Sequence, residues 1–373
     1  MASVRKRVWA SPSGPKTAWL VDYTDSRGNR LRKHFRTKKA ADTFRIRIEG
    51  QIQAGTYRPD ASKLTIKEVC ESFLADCQER HERDERMTRK MLVVYRGHIN
   101  NHILHSDYGV GAWKLSQLTA RAVGEFRNRI RTAGVTVPTA RKILSTLHSI
   151  LEHAIAQDWI ATNAAHRVKV IGSRGEGSKK ITSPSKEDTQ RVIDAASEPM
   201  RLMLIFAAST GARAGEQWAA RWQDVNFDKG ELRISRRVDA YGEEGTPKST
   251  AGVRTVPLSA QLVSALKAWK VKSKFSKPND LIFPNRHGGY IGHDNLIKRQ
   301  FLPLFEGKRF NWHGLRHFAV STWIEAGLAS KTVQTFAGHA SLQITMDRYG
   351  HLFPSDDHRR AMDQIAKGLF KNV

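Results

Sequence analysis

The sequence predicts a multidomain protein that is mainly α-helical with α+β parts. Its 373 residues exceed what one hydrophobic core usually fills. A long central stretch has helical periodicity, whereas alternating, strand-like segments occur on both sides of it. We expect a small three-stranded sheet with one helix at residues 1–60, a helical domain at 61–171, a linker at 172–180, and a mixed α/β domain at 181–373.

The amino-terminal segment has the pattern of a sheet backed by one helix. TAWLVDY and RLRKHF alternate apolar and polar residues around the turn sequence DSRGN, and Thr37 precedes the helical stretch KKAADTFRIRIEGQI. Trp19, Tyr23 and Phe35 are expected to form its core. Residues 1–60 hold 14 Lys and Arg against 5 Asp and Glu, a charge of +9 (14 − 5). This density favours a DNA-contacting surface over a merely solvated one.

Four helical segments fill the central domain: TIKEVCESFLADCQER, MTRKMLVVYRGHINNHI, TARAVGEFRNRIRTAG and TARKILSTLHSILEHAIAQDW. Cys70 and Cys77 fall on the apolar face of the first segment. We expect buried free thiols rather than metal ligands or disulfide partners. The next stretch, GSRGEGSKK, has the composition of a flexible linker.

A new hydrophobic core begins after the linker. SPSKEDTQRVIDAA has serine and acidic residues where a helix starts, and PMRLMLIFAA is apolar enough for a buried helix. ELRISRRV and GVRTVPLS have the pattern of paired strands joined by the loop DAYGEEGTPKSTA. The last helical segment, DDHRRAMDQIAKGLF, is expected to pack either on its own domain or on a neighbouring copy.

The charge of the whole chain indicates a polyanionic partner. With 62 Lys and Arg against 36 Asp and Glu, the net charge is +26 and the pI is near 10.3. Nucleic acid is favoured over a membrane surface, because no apolar run approaches the roughly 18 residues of a spanning helix and no signal peptide opens the chain. We expect a soluble, cytoplasmic protein.

Four stretches after the linker concentrate side chains suited to phosphate chemistry: STGARAGE, TPKSTAG, HGLRH and AGHASLQITMDRYGH. A phosphodiester in its transition state carries extra negative charge on its non-bridging oxygens, which two guanidinium groups can bind. Arg213 and Arg316 are candidates for this pair. In a chain so rich in arginine, each could instead be a solvated side chain or a contact to the DNA backbone.

HGLRH also admits other interpretations. His313 and His317 are four residues apart on a predicted helix, as zinc ligands can be. No glutamate adjoins the first histidine, however, and Arg316 would repel a dication. A plain alternative is one surface and one buried histidine. YGEEGTPKST resembles a phosphate-binding loop only superficially, because no glycine immediately precedes Lys248. It is a weak indication of a nucleotide site, and ATP is not implied.

In this order the four stretches resemble the active-site motifs of the tyrosine recombinase family, specifically phage-type integrases. The matching motifs are T-G-x-R-x-x-E with Thr210, Gly211, Arg213 and Glu216, the lysine before G-V-R-T-V-P-L, then H-x-x-R-H, G-H and R-Y-G-H-L-F. The resemblance covers about 181–354. Residues 64–170 more loosely resemble the family's helical core-binding domain, and residues 1–60 its arm-type DNA-binding domain.

The resemblance implies a role for each matching residue. The roles are a phosphate-binding pair, Arg213 and Arg316; a general acid, Lys248; a proton-transfer residue, His313; a further hydrogen-bond donor to phosphate, His339; and the nucleophile, Tyr349. Glu216 is expected to support Arg213. His317 is expected to be a packing or supporting residue.

These residue types suit the implied reaction. A tyrosine hydroxyl has a pKa near 10 and needs a base and a positive field to attack at neutral pH. Because the phosphotyrosyl bond keeps the phosphodiester energy, religation needs neither ATP nor a metal, and no cofactor is expected.

The resemblance also implies partners and a biological role. The partners are double-stranded DNA with attachment sites, further copies of the chain in a homotetramer on DNA, and accessory proteins such as a host DNA-bending protein and an excisionase. The implied role is to integrate or excise a phage or mobile element, at the nucleoid of a bacterial host. The alternatives are a type IB topoisomerase-like relaxase, and a DNA-binding regulator that keeps the fold without catalysis.

Overall fold

The computed structural model describes residues 2–10, 14, 16–25, 28–173, 176, 183–247, 249–307 and 309–353. The chain divides into two compact units, residues 1–179 and 180–373. Lys248, most of the predicted linker and the predicted carboxyl-terminal helix lie outside the described residues. The finer division at residue 60 and the bounds of the linker stay predictions.

The first unit begins with an antiparallel sheet in the order β1-β2-β3. Its strands are Ser3–Trp9 (β1), Lys16–Thr24 (β2) and Arg30–Phe35 (β3). One face packs on helix α1, Lys38–Gln53, through a core of Val21, Tyr23, Ala41, Phe44 and Ile48, with Trp19 and Phe35 packed against it. The Thr37 hydroxyl caps α1 by accepting from the Ala40 amide at 3.2 Å. The predicted sheet, helix, cap and core aromatics are confirmed.

The opposite face of the sheet is basic. Residues directly opposite one another in an antiparallel pair lie on the same face, and Asp22 of β2 pairs with Arg32 of β3. That register gives one face Arg5, Arg7, Trp9, Arg30, Arg32 and His34. Asp22 accepts from Arg30 Nε at 2.8 Å and Nη2 at 2.7 Å, and lies 3.3 Å from Arg5 and 3.4 Å from Arg32. One buried carboxylate therefore orders three arginines on this face.

The rest of the first unit is helical. Its helices are Ile66–Glu82 (α2), Arg89–His98 (α3), Ala120–Thr132 (α4) and Val137–Ala156 (α5). The predicted apolar face of α5 is buried, with Ile143, Leu144, Leu147, Ile150, Leu151 and Ala154 in the core. Cys70 and Cys77 are buried free thiols, as predicted, and burial raises their pKa values to about 12 and about 11.

The second unit is built around two buried helices. Its helices are Lys186–Ala195 (α6), Met200–Thr210 (α7), Ala214–Trp218 (α8), Ala260–Lys272 (α9), His293–Leu296 (α10), Trp312–Glu325 (α11), Ser330–Ala337 (α12) and Leu342–Tyr349 (α13). α7 and α11 pack against each other in the core. The Ser185 hydroxyl caps α6 by accepting from the Asp188 amide at 3.0 Å. The predicted start of α6 and the burial of α7 are confirmed.

Small strands line one side of this unit. They are Val225–Asn226 (β4), Glu231–Ile234 (β5), Arg237–Val238 (β6), Glu244–Gly245 (β7) and Arg254–Pro257 (β8). β5 pairs with β8 as predicted, in the sheet order β4-β5-β8. The prediction of one strand over ELRISRRV is wrong after Ile234. β6 instead pairs with β7, which lies inside the predicted loop. Arg236, between β5 and β6, forms an ion pair with Asp224 at 2.6 Å.

In the part of the chain that the structure describes, none of the helices is long and apolar enough to cross a membrane.

Candidate active site

The motif STGARAGE forms the junction between α7 and α8. Gly211 ends α7 with a φ of +59°, a left-handed conformation that glycine adopts at little cost. Arg213 then occupies the N-cap position of α8, where its amide donates to Glu216 Oε2 at 2.9 Å. Arg213 Nη1 donates to Glu216 Oε1 at 2.7 Å. The predicted contact between Glu216 and Arg213 is therefore present, and it holds a guanidinium whose side chain is 40% exposed.

Glu216 also binds a second arginine, Arg254 of β8. Its Oε2 accepts from Arg254 Nη2 at 2.9 Å, and both side chains are almost completely buried. Burial raises the pKa of Glu216, but the charges of Arg254 and Arg213 outweigh burial and lower that pKa to about 2. The carboxylate is ionised at neutral pH and supports both arginines.

Three arginines meet at the carboxyl end of α12. The carbonyl oxygens of Phe336, Ala337 and Gly338 accept, in that order, from Arg254 Nε at 2.7 Å, from Arg316 Nη2, and from Arg213 Nη2 at 3.1 Å. The last carbonyls of a helix have no partner within it and carry the negative end of its dipole, so guanidinium groups are favourable there. This helix end thus brings together side chains from three separate segments.

Gly338 makes that arrangement possible. Its φ of +62° is left-handed, and an added Cβ would lie 2.9 Å from Arg254 Nη1 and 3.0 Å from the Ala251 carbonyl oxygen. Glycine is therefore required here both by the backbone conformation and by the close approach of an arginine.

Arg316 joins the HGLRH motif to this cluster. It is 2% exposed on α11, and its Nη1 donates to the Gly211 carbonyl oxygen at 2.7 Å. Burial and the charges of Arg213 and Arg254 lower the pKa of Arg316 to about 9. It stays protonated at neutral pH, so the site has a strong positive field.

Tyr349 is the last residue of α13 and is 2% exposed. Its ring packs with the buried apolar residues Val320, Ile324, Val333 and Ala337. Its hydroxyl is hydrogen-bonded to Nδ1 of His317 on α11. Burial raises the pKa of Tyr349, whereas the charges of Arg316 and Arg348 oppose that rise. The hydroxyl is thus protonated at rest and in direct contact with an imidazole.

The two histidines of HGLRH lie on successive turns of α11, with ring centroids 4.8 Å apart and an edge-to-face angle of 87°. His313 is exposed and His317 is buried, which is the plain alternative considered for this motif. The His313 ring is partly desolvated, and this desolvation, together with the nearby His317 and Arg316, lowers the pKa of His313 to about 4. Burial, Arg348 and Arg316 lower the pKa of His317 to about 4 as well. Both rings are neutral at pH 7.

His339 follows Gly338 and is buried beside the nucleophile candidate. Its Nδ1 lies 2.9 Å from Thr345 Oγ1. Its ring stacks on that of Tyr349, with centroids 6.3 Å apart and planes 14° from parallel. Burial and the charges of Arg316 and Arg213 lower the pKa of His339 to about 3, so this ring is also neutral at pH 7.

The second unit brings most of the predicted site residues together. They are Arg213, Glu216, His313, Arg316, His339 and Tyr349. Lys248 lies outside the described residues. The sequence contains one signal for Arg254, to which no role was assigned: it lies on the same inward-facing side of its strand as Val256, with Thr255 facing outward between them. An inward-facing strand position is unusual for arginine. The contact of His317 with Tyr349 has no local sequence signal.

The chemistry of this cluster suits a phosphate rather than a metal ion. Within the described ranges, no three His, Cys, Asp or Glu residues are grouped so that they could hold a metal. The guanidinium groups offer N–H donors and positive charge, and Tyr349 offers a hydroxyl next to a proton acceptor. Such an arrangement can bind a phosphodiester and attack it.

Residues 183–356 match the phage integrase family. Among similar proteins is a tyrosine recombinase XerC-like protein of Caldanaerobacter subterraneus subsp. tengcongensis, 26% identical over 88% of this chain and 90% of the relative. Another is the ICEBs1 integrase of Bacillus subtilis, 23% identical over 87% of this chain and 89% of that integrase.

Solved structures share the fold. The Tn1549 transposon integrase in complex with transposon right end DNA has a TM-score of 0.64 at 15% identity, over 81% of this chain and 100% of that one. A lambda integrase tetramer bound to a Holliday junction has a TM-score of 0.56 at 18% identity, over 90% of this chain and 95% of that one. The predicted mainly helical, multidomain fold is confirmed.

Proposed function

We propose that this chain, which belongs to the phage integrase family of tyrosine recombinases, breaks and rejoins DNA strands at specific sites through a 3′-phosphotyrosyl intermediate. The reaction integrates or excises a phage or another mobile element. The observation that carries the proposal is a tyrosine hydroxyl bonded to a neutral imidazole and adjoining a cluster of arginines, in a chain whose net charge is +26.

The arginines are proposed to bind the scissile phosphate. Arg213 is partly exposed and would meet the phosphate first, whereas Arg316 is buried and supplies positive charge from within the protein. Both guanidinium groups are already held by backbone carbonyls, so little reorganisation is needed when negative charge develops on the non-bridging oxygens. His339 is proposed to donate a further hydrogen bond to the phosphate. His313, whose ring adjoins that of His317, is proposed to take part in proton transfer.

The bond changes follow from these positions. Tyr349 Oη forms a bond to phosphorus, and the bond from phosphorus to the 5′ oxygen of deoxyribose breaks. That oxygen is a basic leaving group, and Lys248 is proposed to give it a proton. A 5′ hydroxyl from another strand then attacks the phosphotyrosine and releases Tyr349, without ATP, a metal or a cofactor.

The proposed partner is double-stranded DNA carrying attachment sites. The exposed arginines around Asp22 support contact of the amino-terminal sheet with DNA outside the cleavage site. Strand exchange needs more than one active site, and we propose a homotetramer on DNA, with a host DNA-bending protein and an excisionase as accessory partners. Acting on DNA, the protein would work at the bacterial nucleoid.

Tyr349→Phe provides the direct test. It removes one hydroxyl and leaves the basic surface unchanged, so we expect no covalent adduct with DNA from the element's chromosomal flanks, while binding of that DNA changes less than about twofold. The measurement is an adduct resolved on a denaturing gel, beside a binding titration. Tyr241→Phe, at an exposed tyrosine, should form the adduct at the wild-type rate.

Adduct formation by Tyr349→Phe would contradict the assignment of the nucleophile. Wild-type protein that binds the DNA without ever forming an adduct would favour a DNA-binding regulator. Relaxation of supercoiled DNA with no strand exchange between two sites would favour the topoisomerase-like alternative.

A further inference from the structure

We propose that His317, rather than His313, is the base that takes the proton from Tyr349 during cleavage and returns it during religation. This inference rests on the proposed function, because it assigns a role within that reaction. Its geometric basis is a hydrogen bond that already exists in the protein alone, between Tyr349 Oη and His317 Nδ1.

The two side chains are held in position from several sides. His317 is 9% exposed on α11, and Tyr349 is 2% exposed at the end of α13. The Tyr349 ring is packed in a cluster with Val320 and Ile324 of α11, and the His339 ring stacks against it. Packing therefore fixes the distance and direction of the hydrogen bond before DNA arrives, as a catalytic proton transfer requires.

His313 has a different environment. It is exposed, and within the described part of the chain no hydrogen bond joins it to Tyr349. Its ring lies edge-on to that of His317, 4.8 Å away on the preceding turn. The geometry therefore distinguishes the two histidines: His317 is bonded to the proposed nucleophile, whereas His313 is exposed at the surface.

The charges around His317 make its basicity depend on the substrate. The groups near it are His313 and Arg316 on its own helix, Arg348 and Tyr349 from α13, and His339 beyond the Tyr349 ring. The arginine charges disfavour a protonated His317 while the site is empty. A phosphodiester bound among the arginines adds negative charge, which makes it easier for His317 to accept a proton. Tyr349 would thus be activated when the phosphate is in place.

The proton balance is complete without a further reactant. Tyr349 Oη gives its proton to His317 Nδ1, while His317 keeps its other proton on Nε2. The phenolate oxygen bonds to phosphorus, and the departing 5′ oxygen receives its proton from the general acid. During religation a 5′ hydroxyl gives its proton back to the general acid and its oxygen bonds to phosphorus. The phosphotyrosyl bond breaks in the same step, and Tyr349 recovers its proton from His317 Nδ1.

His317→Asn separates a hydrogen-bonding role from a basic one. An asparagine amide oxygen can accept from the Tyr349 hydroxyl near the position of Nδ1, but it takes up no proton. We expect His317→Asn to form the covalent adduct about 100-fold more slowly at pH 7, with a rate that rises about tenfold per pH unit as hydroxide replaces the base. The wild-type rate should be nearly level between pH 6 and 8.

Two further variants complete the series. His313→Asn is the matched control on the same helix, and we expect it to lower the rate while keeping the wild-type pH profile. His317→Ala leaves a space at the base, so added imidazole should restore adduct formation to it but not to His317→Asn. Denaturant titration of each variant identifies any loss of folded protein.

A second measurement does not depend on activity. In the full-length protein labelled with 15N-histidine, the His317 resonance, identified by its loss in His317→Asn, should report a neutral ring protonated on Nε2. Its Nδ1 shift should change in Tyr349→Phe, where the hydrogen bond is lost. The His313 resonances should change less.

Three results would overturn the inference: a proton on Nδ1 of His317, a wild-type pH profile in His317→Asn, or a pH profile that changes only in His313→Asn. Failure of the proposed function has a separate signature, since it would show as no adduct in the wild-type protein or as an adduct in Tyr349→Phe.

Discussion

Glu216 is the acidic side chain that binds two of the three arginines of the site. It is 4% exposed, and each of its oxygens binds a guanidinium group. Removing one partner of a buried ion pair leaves the other charge uncompensated, which costs more than the pair itself contributes. The carboxylate therefore has a structural role that is separate from any contact with DNA.

The stabilising effect of Glu216 should depend on pH. Its pKa is about 2 in the folded protein, against 4.5 for an ordinary glutamate, so its contribution is fully present above about pH 4.5 and is lost as pH falls toward 2. We expect Glu216→Gln to lower the free energy of unfolding by about 3 kcal/mol at pH 7, and by much less near pH 2. Urea denaturation across this range measures the difference. Glu325→Gln, at an exposed ion pair with Lys186, should change stability by less than about 1 kcal/mol.

A constant difference between wild type and Glu216→Gln from pH 7 to pH 2 would contradict this explanation. It would mean that the substitution acts through packing rather than through the charge of the carboxylate.

At the residue scale, sequence motifs identified the groups that are proposed to touch substrate better than the groups that hold them in position. Arg213, Arg316 and Tyr349 occur in short motifs of fixed spacing. Arg254 and His317 act through partners 38 and 32 residues away in the chain, Glu216 and Tyr349. Such partners are decided by how strands and helices pack, and no local pattern encodes that packing.

At the element scale, the carboxyl end of α12 organises the site. Three successive carbonyls accept from three arginines, and the left-handed Gly338 lets the chain turn immediately afterwards toward His339. A short helix thus positions positive charge that arises on other elements.

Gly338→Ala should disturb this arrangement, and Gly327→Ala provides a matched control. Both glycines are left-handed, with φ of +62° and +81°, but an added Cβ meets Arg254 at Gly338 and meets nothing within 4 Å at Gly327. Each substitution should cost about 1 kcal/mol of stability through backbone strain. Only Gly338→Ala should also slow adduct formation, by about tenfold or more, because Arg254 must shift. Equal adduct rates in the two variants would show that α12 does not position the arginines.

In the amino-terminal sheet, the Asp22 carboxylate likewise holds three arginines in position, namely Arg5, Arg30 and Arg32. Asp22→Asn removes a negative charge, so simple electrostatics predicts tighter binding to any duplex. We expect a different result, because without Asp22 the three arginines lose their fixed orientation. The preference for attachment-region DNA over random duplex should then fall. Competition binding of both duplexes measures that ratio. Asp42→Asn on α1 makes the same change of charge away from these arginines and should leave the ratio unchanged.

Periodicity predicted the long elements well and the short ones poorly. The helices of the first unit and the buried α7 follow from apolar spacing, because each has enough turns to define a face. β6 and β7 have two residues each, too few for an alternating pattern. The ion pairs beside them, Arg221 with Glu244 and Arg236 with Asp224, join residues 23 and 12 positions apart, which no local pattern indicates.

At the scale of the whole molecule, positive charge is divided between the amino-terminal sheet and helix and the rest of the chain. Residues 1–60 carry +9 of the net +26, which leaves +17 (26 − 9) for the rest of the chain. Composition alone predicted a nucleic-acid partner, but it could not assign the charge to a surface. The strand register does so, because it collects Arg5, Arg7, Arg30 and Arg32 on the sheet face opposite α1.

Deleting residues 1–60 should therefore spare cleavage of a short core site and impair integration on a full attachment site. Each lost phosphate contact should reduce the slope of log affinity against log salt by about 0.9.

Changing Arg5, Arg7, Arg30 and Arg32 together to Gln keeps the helix-facing core of the module but removes four charges from its outer face. We expect the slope of log affinity against log salt to be shallower by up to about 3.6 in this variant. In integration the variant should behave like the deletion. Recombination assays on core and full sites, with binding isotherms at several salt concentrations, test both forms. Integration that is equal to wild type in the deletion at every salt concentration would mean that the module holds no DNA. Loss in the deletion but not in the four-arginine variant would mean that the module acts through a surface other than its basic sheet face.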